Sequence, residues 1–298
     1  MLTTHITIAI ITYQRPNSLQ LTLEAIAALV MPENSKLSVL VVDNDVAQSA
    51  ALVVQGLAGF PFPLRYVNQP QKGRGFARNT ALDETLDEDY LAFIDDDITV
   101  APDWLVEMLE CCIQNQAQFC TGNLRYLYPD DAPRWVGDCG LFQSKANGKT
   151  ATSASTGNLL IDRQWIAVQG LRFPLGIAGE DMFFTSEAYR RGALIMTCKA
   201  AHATTRIEND RINVLWVLRR AMRNGANRSV LYKRLDGPGS MIVASCRHAA
   251  QMAFYATGAA ILACMLRRPW ILVVEHGGMA LGYIAGIFSV RSVIRFNS

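Results

Sequence analysis

The chain has 298 residues, half of them hydrophobic and 18 % charged, which excludes a disordered polypeptide and allows a full hydrophobic core. Its net charge of +2 hides an asymmetry: residues 1–189 hold 12 Lys and Arg against 22 Asp and Glu, whereas residues 190–298 hold 16 against 4. That division predicts an acidic catalytic body followed by a basic region facing something anionic: a phospholipid surface, a diphosphate-bearing substrate or a nucleic acid.

The N-terminus reads as the first strand of a fold and not as a secretory signal. No basic segment precedes Ile6–Ile11, and that run is short and β-branched. The first strand, Ile6–Thr12, leads to Pro16, which suits a helix first turn, and to Leu19, Leu23, Ile26 and Val30 at helical spacing. Leu37–Val42 is a second continuous apolar strand, Ala47–Leu57 a helix, Leu64–Asn68 a third strand and Gly75–Leu86 a helix. Tyr90–Ile94 is a fourth strand, Pro102–Gln114 a helix and Phe119–Leu124 a fifth strand. Tyr126–Thr156, rich in Pro, Gly, Asp and Ser, reads as a long loop carrying acceptor or lid contacts. Order resumes at Thr156–Leu160, followed by a helix over Glu180–Arg191 and a strand over Ala193–Thr197. Strand–helix alternation predicts an α/β fold with a mostly parallel sheet and helices on both faces, binding its ligand beyond the carboxyl ends of the strands.

Beyond Ile212 the character changes. Ile212–Leu235 reads as a basic amphipathic helix, broken by Gly225 and ended by Gly237-Pro238-Gly239. Two apolar stretches follow, Ala249–Leu266 and Pro269–Val290, the second with Gly278, Gly282 and Gly286 at the spacing of close helix packing. The expected organisation is a catalytic domain over residues 1–210, with donor binding in 1–100 and the acceptor side in 101–210, and a helical association region over 211–298.

Polar clusters follow three of the strands: Thr12-Tyr13-Gln14-Arg15, Asp43-Asn44-Asp45 and Asp95-Asp96-Asp97. Three adjacent carboxylates repel one another unless a cation compensates them, and hard oxygen ligands suit Mg²⁺ or Mn²⁺. The seven cysteines form no even framework. Cys111, Cys112 and Cys120 have no matching histidine cluster, so they read as reduced, mostly buried thiols and not as a zinc site.

Six segments in order resemble the family 2 glycosyltransferases, a large inverting group with the GT-A fold. They are Ile11–Pro16, Val42–Asp45, Asn68-Gln69 with Lys72–Asn79, Asp95–Asp97, Thr156–Asn158 and Gly179–Asp181. The resemblance implies a nucleotide-sugar donor, UDP-linked by preference, held by Thr12, Tyr13, Arg15, Asp43, Asn44, Lys72, Gly73, Arg78, Asp95, Asp96, Gly157 and Asn158. Tyr13 and Asp43 would meet the nucleobase, although Asp43 also suits a helix N-cap after its strand. Asp97 and Asp95 would hold Mg²⁺ or Mn²⁺, with His202 as a further ligand or else a structural residue. Asp181 would act as catalytic base and Glu180 would orient donor or acceptor. The Gln-x-x-Arg-Trp motif of processive members has no match in Val214–Arg220, so the resemblance implies addition of a single sugar.

The implied acceptor is a saccharide, carried on a polyprenyl diphosphate as in relatives that build bacterial surface polysaccharides. The basic helix and the apolar stretches then favour attachment to the cytoplasmic face of the inner membrane, peripheral or monotopic. A membrane-spanning hairpin, packing within the protein and a homodimer through the same helices are the alternatives. Nucleic acid is disfavoured because the basic segment lacks interleaved aromatics. Of the rival functions, a nucleotidyltransferase needs a glycine-rich loop after the first strand, which Thr12–Pro16 does not offer. A non-catalytic sugar-nucleotide-binding protein predicts damaged acidic motifs, and both are intact.

Overall fold

The computed structural model describes residues 3–144, 146–266 and 270–288; both ends of the apolar stretch read over Pro269–Val290 lie outside them. The chain divides into two units. The first comprises residues 1–125, 144–176 and 180–205; the second comprises 126–143, 177–179 and 206–298.

The first unit is built on strands β1 (Thr4–Thr12), β2 (Ser35–Asp43), β3 (Leu64–Asn68), β4 (Tyr90–Asp95), β5 (Ile98–Val100), β6 (Phe119–Leu127), β7 (Thr150–Ala151), β8 (Asn158–Asp162) and β9 (Ile195–Arg206). The sheet order is β3-β2-β1-β4-β8-β6-β9-β5, with β7 alongside β9. Strands β3, β2, β1 and β4 pair in parallel, whereas β8 runs antiparallel to both β4 and β6, and β9 runs antiparallel to β5 and β7. The sheet is therefore mixed. A run such as Leu159-Leu160-Ile161, buried on both faces, has no alternation to disclose its direction.

Successive residues of β1 face opposite cores. Ile6, Ile8 and Ile10 pack with Leu19, Leu23 and Ile26 of α1 (Pro16–Ala27) and with Trp104, Leu105 and Met108 of α4 (Trp104–Asn115). Ala9 faces the other side, where Ala77, Ala81 and Leu82 of α3 (Arg74–Asp83) pack with Ile166 of α6 (Arg163–Gln169) and with Phe184 and Ala188 of α7 (Glu180–Arg190). Helices thus cover both faces, each fully buried aliphatic side chain contributing about 1.5–3 kcal/mol. The remaining helix of this unit, α2 (Ala51–Gly56), is shorter than its predicted span. Strand β9 outruns its predicted end at Thr197 by nine residues, and α6 had no counterpart in the sequence reading.

In the second unit, residues 126–143 are not the open loop expected from their composition. They contain a turn of helix, α5 (Trp135–Asp138), and a 3-10 turn at Gly140–Phe142. Val136, Cys139 and Phe142 are buried with Val217 of α8 (Val214–Leu266) and Ile271 of α9 (Ile271–Phe288), and Phe142 stacks on Trp216 at 5.6 Å. Buried Glu275 accepts a 2.9 Å bond from the Gly140 amide.

Gly225 does not break α8; the break is at Gly237, whose φ of 86° and ψ of 172° leave the helical region. Gly225 is where α9 comes closest, because a Cβ there would strike the Met279 carbonyl. Reciprocally, a Cβ at Gly282 would strike the Met222 backbone, and one at Gly286 would strike Ser229. The glycine spacing read from the sequence is thus helix packing inside this unit. Beyond the break α8 contacts its own first half and α9: the Ser229 and Ser245 hydroxyls are bonded, and the His248 ring stacks with Tyr232 of α8 and Tyr283 of α9 at 5.5 Å each. Among the described residues, α9 is long and apolar enough to cross a membrane by length and composition alone.

Candidate active site

Parallel pairing sets Thr12 beside Asp43 and Ile11 beside Asp95, so the polar residues after β1, β2 and β4 share one edge of the sheet. The triplet at that edge is internally braced. Thr12 Oγ1 donates to Asp96 Oδ2 at 2.7 Å, Thr22 Oγ1 donates to the Asp96 carbonyl at 3.0 Å, and Arg15 Nη1 donates to Asp97 Oδ2 at 2.8 Å. Asp96 is buried, and loss of water raises its carboxyl to about 6 despite the Thr12 bond and nearby Arg15. Desolvation also raises Asp95, opposed chiefly by Arg78. Asp95 and Asp97 keep 43 % and 26 % of their side-chain surface, so these two carboxylates remain open to a ligand while Asp96 is structural.

Arg78 links this edge to α7. Its guanidinium lies 2.5 Å from Glu180 Oε1 and 3.6 Å from Asp95 Oδ1, and Arg74 Nε reaches the same Glu180 oxygen at 3.1 Å. Glu180 and Arg78 are each 2 % exposed. Arg78 is therefore enclosed between two carboxylates and shows a donor almost no surface, contrary to the direct contact expected of it. The neighbouring carboxylate is placed differently. Asp181 is half-buried, its Oδ2 accepts a 3.1 Å bond from Ser155 Oγ and its Oδ1 accepts the Met182 amide.

Several predicted donor residues shape the site from behind. Asp43 has no exposed surface; its carboxylate accepts the Asp45 and Ala50 amides and the Tyr66 hydroxyl, so it presents no surface to a nucleobase. The N-cap-like reading fits better, since Ala50 immediately precedes α2. Asn44 clamps the loop before α3, donating to the Gln69 and Gln71 carbonyls and accepting the Gly73 amide. Gly73, at φ 141°, is in the region that favours glycine. Tyr13 and Lys72 are exposed and form a pair, with Nζ 5.2 Å from the ring centroid. Gly157 carries the chain past Asp95: a Cβ there would lie 2.6 Å from Asp95 Oδ2.

Two predicted residues are elsewhere. Asn158 is 4 % exposed and accepts the Trp104 indole N–H at 2.8 Å, making it a core residue and not a donor contact. His202 lies inside β9, its carbonyl accepting the amide of Ala101, four residues along the chain from Asp97. It is exposed, and its ring Nδ1 lies 3.4 Å from Asn123 Nδ2 of β6. Conversely, Arg74, Ser155 and Thr22 were missed. Only Arg74 had a signal, standing inside the Lys72–Asn79 segment.

A divalent metal is chemically compatible with the two open carboxylates, Asp95 and Asp97, hard oxygen donors two residues apart at a strand end. The donation of Arg15 to Asp97 shows that this carboxylate already takes a positive partner.

A family model described as Glycosyl transferase family 2 matches residues 7–167. The succinoglycan biosynthesis protein ExoM of Rhizobium meliloti (strain 1021) is 36 % identical over 231 residues, covering 75 % of this chain and 74 % of that protein. Two solved structures share the fold. Mannosyltransferase PcManGT from Pyrobaculum calidifontis, in complex with GDP-Man and Mn²⁺, has a TM-score of 0.64 at 17 % identity, over 97 % of this chain and 88 % of its own. S. aureus TarS 1–349, in complex with UDP-GlcNAc, has a TM-score of 0.59 at 12 % identity, over 95 % and 92 %. With a mixed sheet of this order, an acidic triplet at the end of β4 and these matches, the chain belongs to glycosyl transferase family 2 and is a glycosyltransferase of the GT-A fold.

Proposed function

We propose that this glycosyltransferase moves one sugar, with inversion, from a nucleotide-diphosphate sugar to a saccharide acceptor of a surface polysaccharide. The observation that carries the reading is the split between two adjacent carboxylates. Glu180 is buried on Arg74 and Arg78 and serves as a positioning residue. Asp181 remains partly accessible, oriented by Ser155, and is suited to take the acceptor hydroxyl proton as general base. Tyr13, Arg15, Lys72, Asp95 and the backbone at Gly73 are parts of the predicted donor set with surface to offer a nucleotide. Asp97 and Asp95 would hold Mg²⁺ or Mn²⁺, which when bound supplies Lewis-acid stabilisation of the departing diphosphate.

PcManGT is named with GDP-Man and Mn²⁺ and TarS with UDP-GlcNAc, which supports a nucleotide-sugar donor and a divalent ion. The ExoM relative supports a saccharide acceptor of the succinoglycan type, polyprenyl-diphosphate-linked in our reading. The basic first half of α8 and the apolar α9 support attachment to the cytoplasmic face of the inner membrane.

Calorimetry with UDP- and GDP-sugars, with and without Mn²⁺, on wild type and Asp181→Asn tests this reading. Metal-dependent donor binding in both, with transfer to a lipid-linked saccharide lost in the variant by roughly 10²–10⁴-fold, is expected. Full turnover by Asp181→Asn refutes the base assignment, and donor binding that ignores both Mn²⁺ and Asp97→Ala refutes the metal site.

A further inference from the structure

The fold gathers thiols that the sequence scatters. Cys111 of α4, Cys120 of β6 and Cys198 of β9 place their sulfurs within 4.8 Å of one another. Cys120 has no exposed surface, Cys198 retains 7 %, and Cys111 is half-buried, so the cluster is closed toward the core and open on one side. The sequence reading set zinc aside because it weighed Cys111, Cys112 and Cys120 without Cys198, which lies 78 residues beyond Cys120 and arrives only through the sheet.

A trigonal set of thiolates around an ion at the Zn–S distance of about 2.3 Å requires sulfurs about 4 Å apart. The observed spacing lies within an ångström of that, whereas a disulfide needs about 2.05 Å. We propose that Cys111, Cys120 and Cys198 form a thiolate site for a soft divalent cation, zinc in the first instance, with water completing the coordination on the Cys111 side. Binding converts three thiols and Zn²⁺ into a tris-thiolate complex of net charge −1 and releases three protons to solvent. No electrons move.

The thiols are in mutual contact, and Cys198 is lowered to about 6, chiefly because the Cys120 thiol donates to it. The other two move the opposite way: neighbouring thiols push Cys120 up, and burial raises Cys111 to about 11. A bound ion would tie α4 to two strands of the sheet, and it would do so apart from the carboxylates of the active site.

Cadmium titration of the full chain, kept reduced with a thiol-free reductant, tests the proposal through the thiolate-to-cadmium charge-transfer band, with zinc competition giving affinity. One ion per chain is expected, displaced by zinc, together with a zinc-dependent rise in melting temperature. Cys111→Ser sits at the open side and should fold, with zinc affinity falling by more than roughly a hundredfold, beyond what loss of an outer partner costs. Cys120→Ser should behave likewise, whereas Cys246→Ser, an exposed thiol outside the cluster, should bind as wild type does. Absence of a stoichiometric band, a band unchanged in Cys111→Ser, or a band lost in Cys246→Ser overturns the proposal. So does loss of two mass units under mild oxidant in the presence of equimolar zinc, which would reveal a disulfide pair instead.

Discussion

Replacing Arg78 by Met tests the link between the triplet and α7. Both members of the Arg78–Glu180 pair keep only 3 % of their side-chain surface, so solvent screens the interaction little. Removing one partner of such a buried pair costs about 3–5 kcal/mol, because the other charge stays behind unpaired. Arg74 still reaches the same Glu180 oxygen at 3.1 Å, which places the expected loss at the lower end, about 3 kcal/mol. For a domain of 150–250 residues that is a fall of about 6–12 °C in Tm. Glu180→Met alone should be comparably harmful, and the double variant should recover at least about 1 kcal/mol relative to the sum of the singles. Denaturant unfolding of the four proteins, followed by circular dichroism, gives the cycle. Strict additivity, or a loss below about 1 kcal/mol in Arg78→Met, would refute the claim that this pair is a buried electrostatic joint.

Gly157→Ala puts a methyl 2.6 Å from Asp95 Oδ2, so transfer should fall by about tenfold or more in kcat/KM while the fold persists; an unchanged kcat/KM would free Asp95 of its assigned position. Trp104→Phe removes the donor to Asn158, whose Nδ2 already lacks a partner, and should cost about 1–3 kcal/mol in urea unfolding. Gly282→Leu drives a side chain into the Met222 backbone of α8, where nothing flexible can yield. The second unit should then lose protection in limited proteolysis while the sheet unit stays resistant.

The parallel half of the sheet was legible because its strands are continuous apolar runs closed by turn residues; Leu64–Asn68 was read to the residue. The triplet was legible for the same reason, standing where a strand end must stop. Other readings failed where one residue type serves two environments. Asp43 and Asn158 fit a donor motif by position, but both are buried, their oxygens accepting from loop amides and from an indole, and those partners are set by tertiary contact. His202 was placed after a strand because Lys199 and the alternating small residues beyond it dilute the apolar signal of β9. Residues 126–143 hide buried Val136, Cys139 and Phe142 among Pro, Asp and Gly, so composition argued for a loop where local packing makes a small core. Gly225 read as a helix breaker because propensity alone cannot show that a second backbone lies against it.

The glycine seam between α8 and α9 also limits how α9 can meet a bilayer. Gly278, Gly282 and Gly286 are buried along one side, with Glu275 and Tyr283 close to the same side. The exposed large apolar residues Leu281, Ile284 and Phe288 fall within an arc of about 60° at 100° per residue. A solitary span would need lipid around its whole circumference, and here seven of the eighteen residues, a carboxylate among them, are buried against protein. Hydrocarbon would meet the large apolar side chains of α9 along this narrow edge, as the rim of a helical assembly.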